Sequence, residues 1–370
     1  VSPLRNRDFR LTLFATAMVF CGYALLLPVV PMWVIEQDAG EFAAGASTGV
    51  FMAATVLAQF GVPAFVRKRG YRLALLLGAL LLGPPTFLLI GATGAPSILA
   101  ISLVRGLGFG LVTVCGSALI AELLPRTALA RGSGLYGLAA GLPQLAGLPA
   151  GTWIAVQWGF APVFVLAAAL PTIGIAMVLL LPAVFPDDAT GTQWRTVLEA
   201  TWRPWLVMLA GSTGYGALAT FLPIVLDGSG AAALLVVAGT ALTARWAAGL
   251  VGDRLGAAGR MLPIALAAIG LGLLGFALTT STPVVAILAV ALFGIGFGVV
   301  QNDALVVMFD RAAAGPASVV WNVAFDAGQG LGAVAVGALV VGTSYPLAFG
   351  LLAVAALLLM PVALRPGRRG

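Results

Sequence analysis

The sequence predicts an all-α integral membrane protein, with twelve transmembrane helices in two pseudo-symmetric six-helix bundles. Three observations predict it. Hydrophobic residues fill 61% of the 370 positions and charged residues only 9%, for a mean hydropathy of +1.08; a soluble domain carries about 25% charge. The apolar residues gather into runs of roughly 20, the length that crosses a bilayer. All but two of the 19 lysines and arginines fall on one side of the ladder that those runs define, the asymmetry that sets membrane topology.

In chain order the spans are 9–34, 43–66, 71–92, 96–123, 130–157 and 160–183, then 203–226, 229–251, 259–281, 284–310, 316–342 and 344–364. Many contain Gly or Pro, which membrane helices tolerate. Glycine is abundant, at 48 residues, and scattered rather than periodic, which suits close helix contact in lipid. The first run is too long for a cleavable leader and lacks a small-residue cleavage site. Val1 is not an initiator, so a few residues are expected to precede it.

On the basic side lie Arg5, Arg7, Arg10, Arg67, Lys68, Arg69, Arg72, Arg126, Arg131, Arg195, Arg203, Arg254, Arg260, Arg311, Arg365, Arg368 and Arg369. The opposite side offers Glu36, Asp38, Glu41 and Asp227. Both termini are therefore expected in the cytoplasm, with the chain in a bacterial inner membrane. An odd number of spans would scramble this pattern. A pI near 10.0 would point to nucleic acid in a soluble protein; here it is membrane topology. The longest polar stretch, PDDATGTQWRTVLEATWRP from Pro186 to Pro204, divides the chain. It sets the expected domains at 1–185 and 203–370, with a cytoplasmic linker over 186–202. Trp194, Trp202 and Trp205 lay part of that stretch on the membrane surface.

The halves repeat each other. GYALLLPVVP (Gly22–Pro31) in the first span recurs as GYGALATFLP (Gly214–Pro223) in the seventh. RGLGFG (Arg105–Gly110) in the fourth recurs as FGIGFG (Phe293–Gly298) in the tenth. YGLAAGLPQLAG (Tyr136–Gly147) in the fifth recurs as WNVAFDAGQGLG (Trp321–Gly332) in the eleventh, matching Gln144 to Gln329 and Gly147 to Gly332. Three matches in the same order argue for a duplicated six-helix unit, a plan that transporters use.

With these motifs the chain resembles the major facilitator superfamily over nearly its whole length. GLVGDRLG (Gly249–Gly256) is similar to that family's signature cytoplasmic loop, with Gly249, Asp253, Arg254 and Gly256 in the expected places. The resemblance implies a cytoplasmic gate there. The first-half counterpart, PAFVRKRGYR, keeps Gly70 but has Arg67 where the family usually has Asp. The family's gating pair does not carry over, and Arg67, Lys68 and Arg69 read as topology anchors. RGLGFG resembles the fourth-span Arg motif of drug:proton antiporters. YGLAAGLPQLAGLPAG resembles their fifth-span Gly/Pro motif, except that Leu148 separates Gly147 from Pro149. Many of those antiporters carry an acid in the first span; here that span offers Thr12, Thr16, Cys21 and Tyr23 instead.

Charge inside a span is expensive and is a functional hypothesis by default. Asp326 stands roughly 15 Å from the cytoplasmic end of span eleven, and Asp303 roughly 10 Å inside span ten. With Arg105 on span four they are the proton-coupling candidates, since a carboxylate in an apolar site can exchange a proton near neutrality. Each has a structural alternative: Asp326 as a carboxylate bonded to adjacent helices, Asp303 as a helix-end contact, Arg105 as a partner for backbone carbonyls. Ser318, Asn322, Asp326 and Gln329 form one polar stripe on span eleven, with Ala324, Gly328 and Gly332 as a small-residue packing face. Tyr23, Tyr136, Gln144, Tyr215, Asn302, Asn322 and Gln329 are candidates to contact a substrate. Arg245, near the cytoplasmic end of span eight, reads as a snorkelling gate residue, joining Gly70 and the Gly249–Gly256 loop. Glu122 reads the same way.

The expected function is secondary active transport, by proton-coupled antiport that exports a small amphipathic or drug-like molecule through alternating access. The alternatives are export of a specific metabolite or metal chelate, or proton-coupled uptake by symport. With no His and two Cys, Cys21 and Cys115, in apolar runs, no metal cluster or disulfide framework is expected. No enzyme constellation and no phosphate-cradling loop is present. The expected partners are a small solute, protons and the lipid bilayer, without nucleic acid or cofactor, for a chain acting as a monomer.

Overall fold

The computed structural model describes residues 3–125, 128–186, 193–255 and 259–364, with 129, 130, 253–255 and 314 described by backbone alone. Those residues hold helices and no strand. After a short 3-10 turn (Pro3–Arg5) come α1 (Arg7–Glu36), α2 (Gly40–Leu82), a 3-10 segment (Pro84–Ile90), α3 (Gly94–Leu123), α4 (Leu129–Trp158) and α5 (Phe160–Leu179). Then follow α6 (Trp194–Val225), α7 (Gly230–Leu255), α8 (Leu262–Thr279), α9 (Pro283–Arg311), α10 (Ala314–Gly342), α11 (Tyr345–Leu358) and α12 (Met360–Leu364).

Among the described residues, ten helical segments are long and apolar enough to cross a membrane. One of them, Gly40–Ile90, runs for 51 residues, more than a single crossing needs. It breaks at Gly70, whose φ of 76° and ψ of 164° lie outside the helical region and suit a residue without a β-carbon. The Tyr71 N–H just after the break donates to the Val184 carbonyl at 2.9 Å. The 30-residue α4 is long enough to cross but is not one of the ten, because its glycines, prolines and glutamines dilute its apolar character. With α4 added and α2 divided at Gly70, the segments are compatible with twelve spans.

The chain forms two compact units. The first comprises Val1–Ala39 and Val50–Gly191; the second comprises Gly40–Gly49 and Thr192–Gly370. The opening turns of α2 thus group with the second unit. There Thr48 and Thr220 share a buried hydroxyl–hydroxyl hydrogen bond of 3.2 Å. The expected linker over 186–202 runs into α6, which starts at Trp194 and in which the Arg195 Nε–H donates to Glu199 Oε1 at 2.8 Å. In the first unit, Asn6 caps α1: its Oδ1 accepts from the Asp8 and Phe9 amides, and its Nδ2 donates to the Leu123 carbonyl at the end of α3.

The sequence repeat has a physical counterpart in the packing of each unit. In the first, a β-carbon at Gly106 or Gly110 would collide with the α2 carbonyls of Phe51 or Thr55, and one at Gly108 with the carbonyl of Gly78. In the second, Gly294 and Gly298 stand in the same way against the α7 carbonyls of Val237 and Ala241, and Gly296 against the α8 carbonyl of Ala265. Each motif therefore presses one helix onto two neighbours at backbone distance, which in the first unit are the parts of α2 on either side of Gly70. Gly147 on α4 likewise meets Ala24 and Leu25 on α1, and Gly332 on α10 meets Thr213 and Ala217 on α6. Gly328 sits one turn away against Leu209 and Ser212, so the small-residue face of span eleven is where α10 meets α6.

Replacing Gly298 by Leu should lower stability by about 1–3 kcal/mol, since backbone cannot yield to the new side chain. Gly134 has open space at its β-carbon, and Gly134→Ala should change stability by less than about 1 kcal/mol. Thermal unfolding of the two purified variants in detergent checks this; equal unfolding temperatures would mean that the seam tolerates side chains.

Candidate functional site

In the first unit, Arg105 projects from the middle of α3 and is 3% exposed. Its guanidinium carbon lies 5.4 Å from the centre of the Phe51 ring, a cation–π distance. That ring belongs to a stack. Tyr23 stacks on Phe109 (4.2 Å, 18°) and meets Phe51 (5.7 Å, 22°), Phe51 and Phe109 are themselves 5.5 Å apart, and Phe20 meets Phe109 edge-on at 5.3 Å. The Arg105 Nε is buried without a hydrogen-bond partner among the described residues, and so is the Ser102 hydroxyl one turn earlier on the same helix. Among the described residues no carboxylate acts on the Arg105 charge. The fourth-span arginine is thus held by an aromatic face and not by an acid.

In the second unit, Tyr215 stacks on Phe297 at 4.8 Å and 19°. The pair repeats Tyr23 on Phe109, with each tyrosine from a Gly-Tyr pair and each phenylalanine from a Gly-rich motif. The stack continues through Phe325 to Trp321, at 6.1 Å and 5.4 Å. Arg245 joins it from α7. Its guanidinium sits 5.5 Å from the centre of the Trp321 ring, and its NH1 donates to Gln301 Oε1 at 3.0 Å. The Trp321 indole N–H donates to the Gln301 carbonyl at 3.2 Å. The sequence reading sends Arg245 toward the membrane surface; the structure turns it inward, onto α9 and α10.

Asp326 is 3% exposed, and Gln329 below it is fully buried. Ser318 and Asn322, higher on the stripe, are only half-buried, and Asn322 Nδ2 donates back to the Ser318 carbonyl. Gly216 on α6 presses against the Gln329 backbone. The Ser212 hydroxyl on α6 is also buried without a hydrogen-bond partner among the described residues.

Asp303 is placed differently. Its Oδ1 accepts the Gly259 N–H at 3.0 Å and its Oδ2 accepts the Met261 N–H at 3.1 Å. It caps the start of α8 from below, using a carboxylate where a helix N-terminus offers free amides.

The other candidates are spread along the helices. Tyr136 is half-buried and its hydroxyl donates to the Thr113 carbonyl at 3.4 Å. Gln144 Nε2 donates to the Ala140 carbonyl one turn back. Asn302 is half-buried near Gly249, and Tyr71 and Glu122 meet at 3.5 Å. Of the signature loop, the side chains of Asp253 and Arg254, and Gly256 entirely, lie outside the described residues. Among the described residues no group of three or more His, Cys, Asp or Glu is placed to hold a metal.

The structure therefore brings together Tyr23 with Arg105, and Tyr215 with Arg245, through rings that the sequence reading did not single out: Phe51 and Phe109, Phe297 and Phe325. It also adds Gln301, Trp321 and Thr113, and Gln59 on α2, whose Nε2 donates to Thr113 Oγ1. The signal for these lay in the repeat, whose register pairs Thr113 with Gln301 and Tyr136 with Trp321.

Long apolar helices in two internally repeated units, with buried polar and charged groups at mid-helix, define a membrane transporter built by duplication. Residues 12–320 match the family model of the Major Facilitator Superfamily, and the chain belongs to that superfamily. Its family and fold are those of transporters rather than enzymes. No curated protein matches the sequence. Among solved structures, a POT family transporter in complex with a thioalcohol-conjugated peptide is similar, at a TM-score of 0.78 and 14% identity, covering 96% of this chain and 95% of that one. A POT family transporter in complex with 5-aminolevulinic acid gives 0.80 and 14% over the same shares. The nucleoside transporter NupG gives 0.76 and 12% over 97% of this chain and 100% of that one. At these identities the likeness is one of fold.

Removing the Asp303 carboxylate (Asp303→Ala) leaves two amides without acceptors and should destabilise the start of α8 by about 1–3 kcal/mol. Hydrogen exchange by mass spectrometry should show faster exchange over Gly259–Leu262 while the middle of α9 is unchanged. Unchanged exchange at Gly259 and Met261 would show that the cap does not hold that segment.

Proposed function

We propose that the chain is a proton-coupled antiporter that exports a small amphipathic solute by alternating access, from a bacterial inner membrane with both termini in the cytoplasm. The observation that carries the reading is Asp326, a carboxylate 3% exposed in the middle of α10. The repeat aligns it with Gly141, so the shared scaffold does not require it. A buried acid of this kind exchanges a proton at modest cost when its surroundings are apolar. The RGLGFG and YGLAAGLPQLAG motifs, similar to those of drug:proton antiporters, support the outward direction. In this reading the domains are 1–185 and 203–370, joined by the stretch between them. Tyr23, Tyr136, Gln144, Tyr215, Asn302, Asn322 and Gln329 supply solute contacts. The Gly249–Gly256 loop and Gly70 serve the cytoplasmic gate. Asp303 is assigned to holding the α8 end of that gate.

A second reading is transport of a specific anionic or zwitterionic metabolite. Arg105 favours it, as a buried cation that no carboxylate among the described residues neutralises. The similar solved transporters, two bound to a peptide conjugate or 5-aminolevulinic acid and one a nucleoside transporter, support a polar organic solute of that size.

The test is transport in liposomes under an imposed pH gradient, with ethidium as a cationic amphiphile and 5-aminolevulinate as a zwitterion. Asp326→Asn should abolish gradient-driven accumulation and retain solute exchange without a gradient. If Asp326→Asn keeps full gradient-driven transport, the proton role is wrong. Movement of 5-aminolevulinate and not ethidium selects the second reading.

A further inference from the structure

Each unit contains the same three-residue brace. In the first, Gln59 Nε2 on α2 donates to Thr113 Oγ1 on α3 at 3.3 Å, and the Tyr136 hydroxyl on α4 donates to the Thr113 carbonyl at 3.4 Å. In the second, Arg245 NH1 on α7 donates to Gln301 Oε1 on α9 at 3.0 Å, and the Trp321 indole on α10 donates to the Gln301 carbonyl at 3.2 Å. Helix for helix and bond for bond, the two arrangements correspond. The glycine seams fix the register independently: Phe51 and Thr55 on α2 stand where Val237 and Ala241 stand on α7, which sets Gln59 opposite Arg245.

The comparison separates bracing from charge. The first unit makes the brace from neutral groups. The second uses a guanidinium, whose desolvation inside a span is costly. For the hydrogen bond of the brace itself, that extra charge is not needed, since the neutral Gln59 makes the corresponding bond. Among the described residues no carboxylate pairs with Arg245 or acts on its charge. Its guanidinium carbon sits over the Trp321 ring and one N–H is fixed by Gln301, while a guanidinium has more N–H groups than that single acceptor uses. An arginine oriented in this way presents a planar fork of donors, the geometry that binds a carboxylate or phosphate through paired hydrogen bonds.

We propose that Arg245, seated on Trp321 and steadied by Gln301, is the anion-binding group of the solute site, and that the transported solute is an organic anion bearing a carboxylate or phosphate. The proposal deepens the transporter reading by naming the class of solute, and it stands apart from the proton role of Asp326. The aromatic run from Trp321 through Phe325 and Phe297 to Tyr215 gives the apolar part of such a solute a surface beside the charge.

The experiment uses the purified full chain in detergent with three probes of one shape: benzoate, phenyl phosphate and benzylammonium. Thermal unfolding is followed with and without each. At saturation, benzoate or phenyl phosphate should raise the unfolding temperature of the wild type by roughly 2–5 °C, and benzylammonium should not. Arg245→Gln recreates the chemistry of the first-unit brace, and Gln301 reaches further than Thr113 to meet it. This variant should unfold within about 2 °C of the wild type without probe and lose the anion response. Arg245→Lys, with charge but no fork, should recover part of the response, more with phenyl phosphate than with benzoate. Asp326→Asn should keep the anion response while losing gradient-driven transport, so failure of the proton role and failure of the anion seat are read separately. The proposal is overturned if neither anion stabilises the wild type, if benzylammonium stabilises it as well, or if Arg245→Gln keeps the response. It is also overturned if Arg245→Gln fails to fold while Arg245→Lys folds without any anion response, because the charge is then only a brace.

Discussion

Everything in either unit depends on helices lying closer together than side chains allow. In α3 and α9, three glycines at alternate positions put backbone against backbone on two sides of one helix. Lipid gives no hydrophobic reward for helix association, so contact area and the absence of obstruction must supply it. A seam with no side chains loses no rotamer freedom on forming. It also fixes register to within a turn, because only one alignment brings each glycine opposite a carbonyl. The aromatic stacks and polar braces follow from that register: Tyr23 meets Phe109, and Tyr215 meets Phe297, only when the Gly-rich motifs are seated.

Much of this was legible in the sequence. Apolar run length and the one-sided placement of Lys and Arg mark the spans, since both reflect the bilayer directly. The three motif repeats pointed to a duplication, and the packing around Gly106, Gly147, Gly294 and Gly332 reproduces it in space. The boundaries were less visible. A proline-poor polar stretch reads as a linker, but Trp194–Trp202 continues as helix because nothing in it stops one. Gly70 is a single residue between two apolar runs, and whether it ends a helix depends on its backbone angles.

The site was harder to read, for a physical reason. Arg245, Gln301 and Trp321 come from three helices and are separated by more than fifty residues at the first step. No periodicity within one helix links them. Arg245 alone, close to a helix end, resembles the snorkelling residues that long cationic side chains often become. What turns it inward is an acceptor on α9 and a ring on α10. Asp303 shows the converse: its depth left proton coupling and a helix-end contact both open, and its two oxygens accept from the amides that open α8.

The paired braces also bear on how such a protein changes over time. Glutamine and arginine codons can differ by a single base, so the neutral and charged forms of this brace are neighbours in sequence space. A duplicated scaffold then offers two equivalent positions at which a cation can be gained or lost while the hydrogen bonds around it persist. Solute preference becomes adjustable without rebuilding the fold.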